Sequence, residues 1–365
     1  EKFHQLKLVY LVMLGGKGDV GREPAVVWLC IAVSAFLCQA VQASSGDRSN
    51  EFRGCLYVCR FNNCSLELTQ DPYYGYTSLD SADASTEGLS ALLSSRSCSD
   101  ECRYHCMWHA TMLFLGENKP TPQFYGKWPF IRVLGLDEPA SVLFSLLNLL
   151  GHCAGLRRLR TSLPKSAPMY STWQTYSLVC INAWLWSAVF HARDIVITER
   201  LDYFSAFSMV LYSLYTLCLR AVGPDRTHVK QSVGVACVAL FVYHIWYLSN
   251  KRFDYGYNMK VNVTVGVCNG IGWLCWCYLR RARPYVLKCV WVLLVAAAGM
   301  VLELADFPPI AWVLDAHALW HLCTAPLPIP WYRFIVADCK YILEKKERDY
   351  MLQRAIYEEE NRRLK

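Results

Sequence analysis

From residue 138 to residue 329 the chain offers seven apolar stretches, near 138–156, 169–190, 203–221, 231–248, 261–280, 285–304 and 309–329. Each approaches the roughly 20 residues that a helix needs to cross the hydrocarbon core of a bilayer. Within hydrocarbon every backbone N–H and C=O must be satisfied internally, so stretches of this length can only be helices. Their connectors are short, which makes successive helices antiparallel. The pattern predicts an all-α fold, a seven-transmembrane helix bundle over residues 131–335. Composition supports it: charged residues make up 18% and hydrophobic ones 54%, against roughly 25% charged in soluble domains. The net charge of +7 is modest. No nucleic-acid-binding motif appears, and the basic residues gather in connectors, as membrane orientation requires.

Those connectors set a direction. Arg157, Arg158, Arg160 and Lys165 follow the first stretch, Arg220, Arg226 and Lys230 the third, and Arg280, Arg281 and Arg283 the fifth. The opposite side carries only Arg193, Arg200, Lys251, Arg252 and Lys260. The more basic side is expected in the cytosol. The charged tail, residues 336–365, then reads as a helical cytosolic segment to which no chemistry is assigned.

Residues 1–43 read as an N-terminal extension and signal peptide. An apolar run from Val26 to Ala43 follows Lys17 and Arg22 and ends in the small-residue pattern Val41-Gln42-Ala43. Residues 44–130 are polar and hold two cysteine triplets, Cys55, Cys59 and Cys64, then Cys98, Cys102 and Cys106. Behind a signal peptide, six cysteines read as a disulfide framework in an oxidising compartment. The matched triplets suggest two antiparallel helical turns stapled as 55–106, 59–102 and 64–98. A zinc site drawing on His105 and His109 is the competing reading. Asn63-Cys64-Ser65 is a candidate glycosylation sequon. Signal peptide and basic-residue bias independently place this module in the lumen.

Polar residues inside the apolar stretches need a reason, because each costs free energy in hydrocarbon. Ser187 and His191 stand four residues apart near the end of the second stretch, and His317 and His321 repeat that spacing in the seventh. Such pairs lie on one helix face, one turn apart. Asp202 opens the third stretch. In the predicted topology all five fall in the lumenal half of the bundle. Taken singly, each has an ordinary explanation: a serine bonding its own backbone, a packed histidine, an aspartate solvated at the interface. His152 and His244 read as packing residues, and Asp315 as an interfacial one.

Together, three histidines at one depth beside a carboxylate suit a metal site. Zinc binds neutral imidazole nitrogen at about 2.0–2.1 Å, and a catalytic site leaves one tetrahedral position open. Three ligands without a thiolate keep Zn2+ electrophilic and lower the pKa of a coordinated water toward about 7. Asp202 fits the general base and Ser187 a donor to the developing oxyanion.

The set Ser187–His191, Asp202 eleven residues further on, and His317–His321 resembles the CREST superfamily of seven-span membrane hydrolases. That superfamily includes alkaline ceramidases and progestin/adipoQ receptors. "CLYVCRFNNC", "CRYHCMWH", "QFYGKWPFIR", "SAVFHARD", "LDYF" and "DAHALWH" are similar to the post-GPI-attachment to proteins factors within it, over roughly residues 44–335. The resemblance implies a GPI-specific phospholipase A2 that removes the sn-2 acyl chain from protein-linked GPI anchors. It further implies His191, His317 and His321 as zinc ligands, Asp202 as base and Ser187 as oxyanion partner. GPI-anchored proteins and membrane lipid would be its partners, in the Golgi or endoplasmic reticulum membrane with the active site facing the lumen. A ceramidase-like amidase and a non-catalytic receptor or trafficking factor with structural zinc are the rival readings.

Overall fold

The structure is a computed structural model that describes residues 44–62, 96–223, 226–250 and 253–363. The expected signal peptide, Asn63 and Cys64 lie outside the described residues. The fold is all-α: α1 Asn50–Phe61, α2 Cys98–Gly116, α3 Pro139–Ser162, α4 Tyr170–Ala192, α5 Val196–Val222, α6 Thr227–Asn250, α7 Tyr255–Leu279, α8 Val286–Ala305, α9 Ala316–Thr324 and α10 Pro328–Arg363. Among the described residues, β structure is confined to isolated bridges.

Helices α1 and α2 form the cysteine module. Both start on a side-chain cap: Ser49 accepts from the Phe52 N–H, and Ser97 and Asp100 make a reciprocal capping box. The two helices are joined by Cys55–Cys106 and Cys59–Cys102. These are two of the three expected pairs. Cys98 is disulfide-bonded as well, and its expected partner Cys64 falls outside the described residues.

Four helices among the described residues are long and apolar enough to cross a membrane: α3, α5, α6 and α8. They coincide with the first, third, fourth and sixth expected stretches, while α4 and α7 occupy the second and fifth. The seventh expected stretch is not one helix. Residues 310–314 form a tight turn closed by Ile310 and Leu314, α9 follows for nine residues, and the chain breaks before α10 begins at Pro328. Pro326 and Pro328 account for the break, since neither has an N–H to donate back to the last carbonyls of α9. Asp315 caps α9, accepting from the Ala318 N–H at 2.8 Å.

Helix α10 runs for 36 residues, so the expected boundary at residue 335 falls inside a continuous helix. Its first turns are core. Trp331, Tyr332, Phe334 and Ile335 pack against Trp173 of α4 and Trp273 of α7. Gly155 of α3 allows that approach, because a Cβ there would lie 2.1 Å from the Tyr332 ring. Asp338, assigned to the tail from sequence, is buried and accepts two hydrogen bonds from Arg220 of α5 and one from the Tyr285 hydroxyl. One face of α10 is therefore built into the bundle.

The module docks through charge. Arg132 reaches Glu101 at 2.8 Å and Asp137 at 2.9 Å, Arg96 reaches Asp137 at 2.7 Å, and Arg193 reaches Asp100 at 3.2 Å. Trp108 packs edge-on against Trp312. This places the module beside the C-terminal end of α4 and the turn before α9.

Candidate metal centre

His191 sits in the last turn of α4, and His317 and His321 lie on successive turns of α9. Each offers a ligand atom, and the three atoms lie within 4.8 Å of one another. The i, i+4 spacing puts both α9 imidazoles on one face. The approach of α9 to α4 brings in the third.

Each ring is held at Nδ1. Glu138 takes His191 Nδ1 at 2.7 Å, Glu303 takes His317 Nδ1 at 2.8 Å, and Ser145 Oγ meets His321 Nδ1 at 2.9 Å. An ionised carboxylate only accepts, so Nδ1 of His191 and of His317 must carry the proton. In the neutral rings Nε2 then bears the lone pair. The Nε2 atoms of His191 and His317 nevertheless face each other at 3.3 Å. Two lone pairs so placed repel unless a cation sits between them. The spacing is that of a tetrahedral edge, about 3.3–3.4 Å for metal–nitrogen bonds of about 2.0–2.1 Å. Outer partners that fix tautomer and ring orientation are the usual support of metal-binding histidines. The residues present therefore fit a zinc ion.

Burial is uneven around the cluster. His191 and His321 are 2% and 4% exposed, whereas the His317 side chain is 37% exposed. Access is from the His317 side. The back of the site is locked: Asn148 donates to the His321 carbonyl at 2.8 Å, and Trp184 meets the His321 ring edge-on. Ser187 is buried and bonded to Ser145 Oγ at 3.1 Å, which joins it to His321 through one hydroxyl. Asp202, in the second turn of α5, is half-buried and within electrostatic range of His191 and His317. The structure thus groups His191, His317 and His321 directly, links Ser187 to them through Ser145, and leaves Asp202 at their edge. Asp315 acts as a helix cap, and His152 bonds Tyr332 in the core. His244 is likewise a core residue, its ring tilted against Phe207 with centroids 4.0 Å apart.

Sequence reasoning missed Glu138, Glu303 and Ser145. Glu303 had a visible signal, a carboxylate inside an apolar run. Ser145 had a subtler one: Ser141, Ser145, Asn148 and His152 recur at helical spacing and are all buried, a polar stripe down one face of α3. Glu138 precedes a proline at a helix start and had none. Just outside the bundle, Lys127 places its ammonium 3.1 Å from Glu138 Oε1 and 2.7 Å from Asp194, over the Phe190 ring at 4.1 Å. Burial would lower its pKa, but the two facing carboxylates outweigh that and hold it well above the usual lysine range.

The chain resembles a set of curated proteins over most of its length. It is 42% identical over 325 residues to the zebrafish (Danio rerio) protein named GPI-specific phospholipase A2-like PGAP3, covering 87% of this chain and 98% of that one. The human (Homo sapiens) protein of the same name is 41% identical over 310 residues, 85% of this chain and 93% of the relative. Post-GPI attachment to proteins factor 3 of Drosophila melanogaster is 40% identical over 318 residues, 84% and 95% respectively. No solved structure matches. The model of the Per1-like family matches residues 89–339, which include every residue of the cluster, and the chain therefore belongs to the Per1-like family.

Proposed function

We propose that this protein is a zinc-dependent membrane hydrolase that removes the sn-2 acyl chain of GPI anchors attached to proteins, a GPI-specific phospholipase A2. The observation that carries the reading is the convergence of three imidazoles whose Nδ1 atoms are each engaged by a different neighbour. The substrate class is supported by the relatives, whose names specify GPI and phospholipase A2-like activity. Zinc held by His191, His317 and His321 would supply a Lewis acid that acidifies water and polarises an ester carbonyl.

The chain's own residues do the rest. Glu138, Glu303 and Ser145 hold the three rings in place, so that little reorganisation accompanies the reaction. Asp202 accepts the proton of the attacking water and passes it to the departing glycerol oxygen. Water oxygen bonds to the acyl carbon and the ester C–O bond breaks, releasing a fatty acid and a 2-lyso anchor. The Ser187 hydroxyl donates to the carbonyl oxygen as its charge develops. Among the described residues the cluster has three members, one fewer than a closed structural zinc site requires. The disulfide module beside the opening supports a lumenal site, since disulfides persist in oxidising compartments. Residence in the Golgi or endoplasmic reticulum membrane follows from that reading.

Mass spectrometry of GPI anchors from cells lacking the protein and re-supplied with variants tests it. Wild type restores loss of the unsaturated sn-2 chain, while His317→Ala and Asp202→Ala do not. Normal remodelling with either variant contradicts the proposal.

A further inference from the structure

Between the cysteine module and α3, the segment Gln123–Trp128 makes a tight turn, closed by Phe124 and Lys127 through two backbone hydrogen bonds of 2.8 and 3.0 Å. Tyr125 and Gly126 take positive φ at its tip, 53° and 83°. The turn has three attachments. Phe124 is buried in the module's core against Phe52, with ring centroids 5.1 Å apart. Gln123 and Trp128 donate to the two oxygens of Asp306, at 2.9 and 2.7 Å. Asp306 ends α8 three residues after Glu303, the partner of His317. Lys127 reaches the other side of the site, holding Glu138 and Asp194. Glu138 is the partner of His191.

The turn therefore ties the disulfide module to both carboxylates that orient metal-binding rings. Lys127 is the more direct tie, because its ammonium touches the same carboxylate that holds His191. Glu138 Oε1 faces Lys127 and Oε2 faces His191. With Lys127 removed, Glu138 Oε1 keeps no other hydrogen-bonded side chain among the described residues, the rotation of that carboxylate is no longer fixed, and the Nε2 of His191 loses its aim. We propose that Lys127 is a positioning residue for the metal centre, acting through Glu138, and that the Gln123–Trp128 turn makes the geometry of the centre depend on the docked module.

This inference rests on the zinc reading above, and the experiment separates the two. Zinc affinity of the purified full-length protein in detergent is measured by competition with a chromophoric chelator. The variants are Lys127→Met, Lys127→Arg, Glu138→Gln and the double variant Lys127→Met/Glu138→Gln. Loss of an outer partner typically weakens metal binding about 10–100-fold. Lys127→Met should show that loss and Lys127→Arg, which keeps the cation, should recover most of it. The double variant should bind no more weakly than Glu138→Gln alone, because Lys127 acts through Glu138. If Lys127→Met does not accumulate, Lys127→Gln carries the same comparison. Wild-type affinity in Lys127→Met, or single losses that multiply in the double variant, overturns the inference while leaving the zinc reading intact. Wild-type protein that takes up no zinc overturns both.

Discussion

His191 and His317, 126 residues apart in sequence, bring their Nε2 atoms to 3.3 Å of each other while separate glutamates hold the opposite edge of each ring. On the proposed zinc reading, that arrangement divides the site into residues that would hold the metal and residues that would use it. Alanine at His191, His317 or His321 should abolish both zinc content and acyl removal. Asp202→Asn should keep its zinc and lose about 10²–10⁴ in rate, the usual scale for a general base. Metal analysis of purified variants alongside anchor mass spectrometry checks the division. An Asp202→Asn protein depleted of zinc would move Asp202 from base to ligand.

The two serines should separate in the same way. Ser187→Ala removes the proposed donor to the reacting carbonyl, and about 10²–10³ in kcat should go with zinc affinity unchanged. Ser145→Ala frees the Nδ1 of His321, so its main effect should be on zinc affinity, by about tenfold or more. Chelator competition and single-turnover hydrolysis of a GPI substrate distinguish them. Identical profiles for both variants would contradict separate roles.

The Arg220–Asp338 pair predicts a stability effect remote from the chemistry. Both side chains are buried and the contact is bidentate. Asp338→Ala leaves a buried guanidinium without its partner, a change of about 3–5 kcal/mol. Replacing both by leucine should cost less. Thermal unfolding in detergent gives the order, and a double variant less stable than Asp338→Ala would contradict it.

Gly155 offers a steric test. Alanine there drives a methyl group into the Tyr332 ring, and overpacking of this kind costs about 1–3 kcal/mol. Gly155→Ala with Tyr332→Leu should recover part of the loss. An unfolding temperature equal to wild type for the single variant would show that α3 and α10 can move apart freely.

The module should be acid-sensitive. Burial holds His105 below the ordinary histidine range. Asp100 is also held low: burial pushes its pKa up, but hydrogen bonds from Ser97 and the charges of Arg193 and Arg103 outweigh it. Both groups favour their deprotonated form when folded, so the unfolded chain binds more protons as pH falls. Stability should be full above about pH 6.5, decline as His105 is forced to charge, and drop again below about pH 4 as Asp100 protonates. The unfolding temperature at neutral and mildly acid pH measures it. His105→Gln should flatten the upper part of the curve, and an unchanged slope would contradict the assignment.

The sequence showed the bundle and the histidines that now converge more clearly than their supports. Apolar runs of helix length are read directly from composition, and paired histidines stand out where charge is rare. Glu138 could not be read, because its role depends on Ala192 and Asp137 pairing through the backbone to bring the start of α3 beside the end of α4. The broken seventh stretch was hidden by its own hydropathy: prolines at 326 and 328 sit in an apolar context that a span count treats as continuous. Asp338 was lost for the opposite reason, since a charged stretch reads as solvated unless its partner on another helix is known. Local patterns were legible, and contacts between elements distant in sequence were not.

Helix α9 is nine residues long, shorter than the roughly 12–15 that persist alone in water. Its order is therefore lent by its surroundings: the Asp315 cap, the Asn148 amide on the His321 carbonyl, and Glu303 on His317. Two of the three proposed ligands thus ride on a segment with no independent stability. Any event that loosens α3 or α8 reaches these imidazoles without touching them. In hydrogen exchange the amides of 316–324 would report the integrity of the whole assembly, not of a local helix.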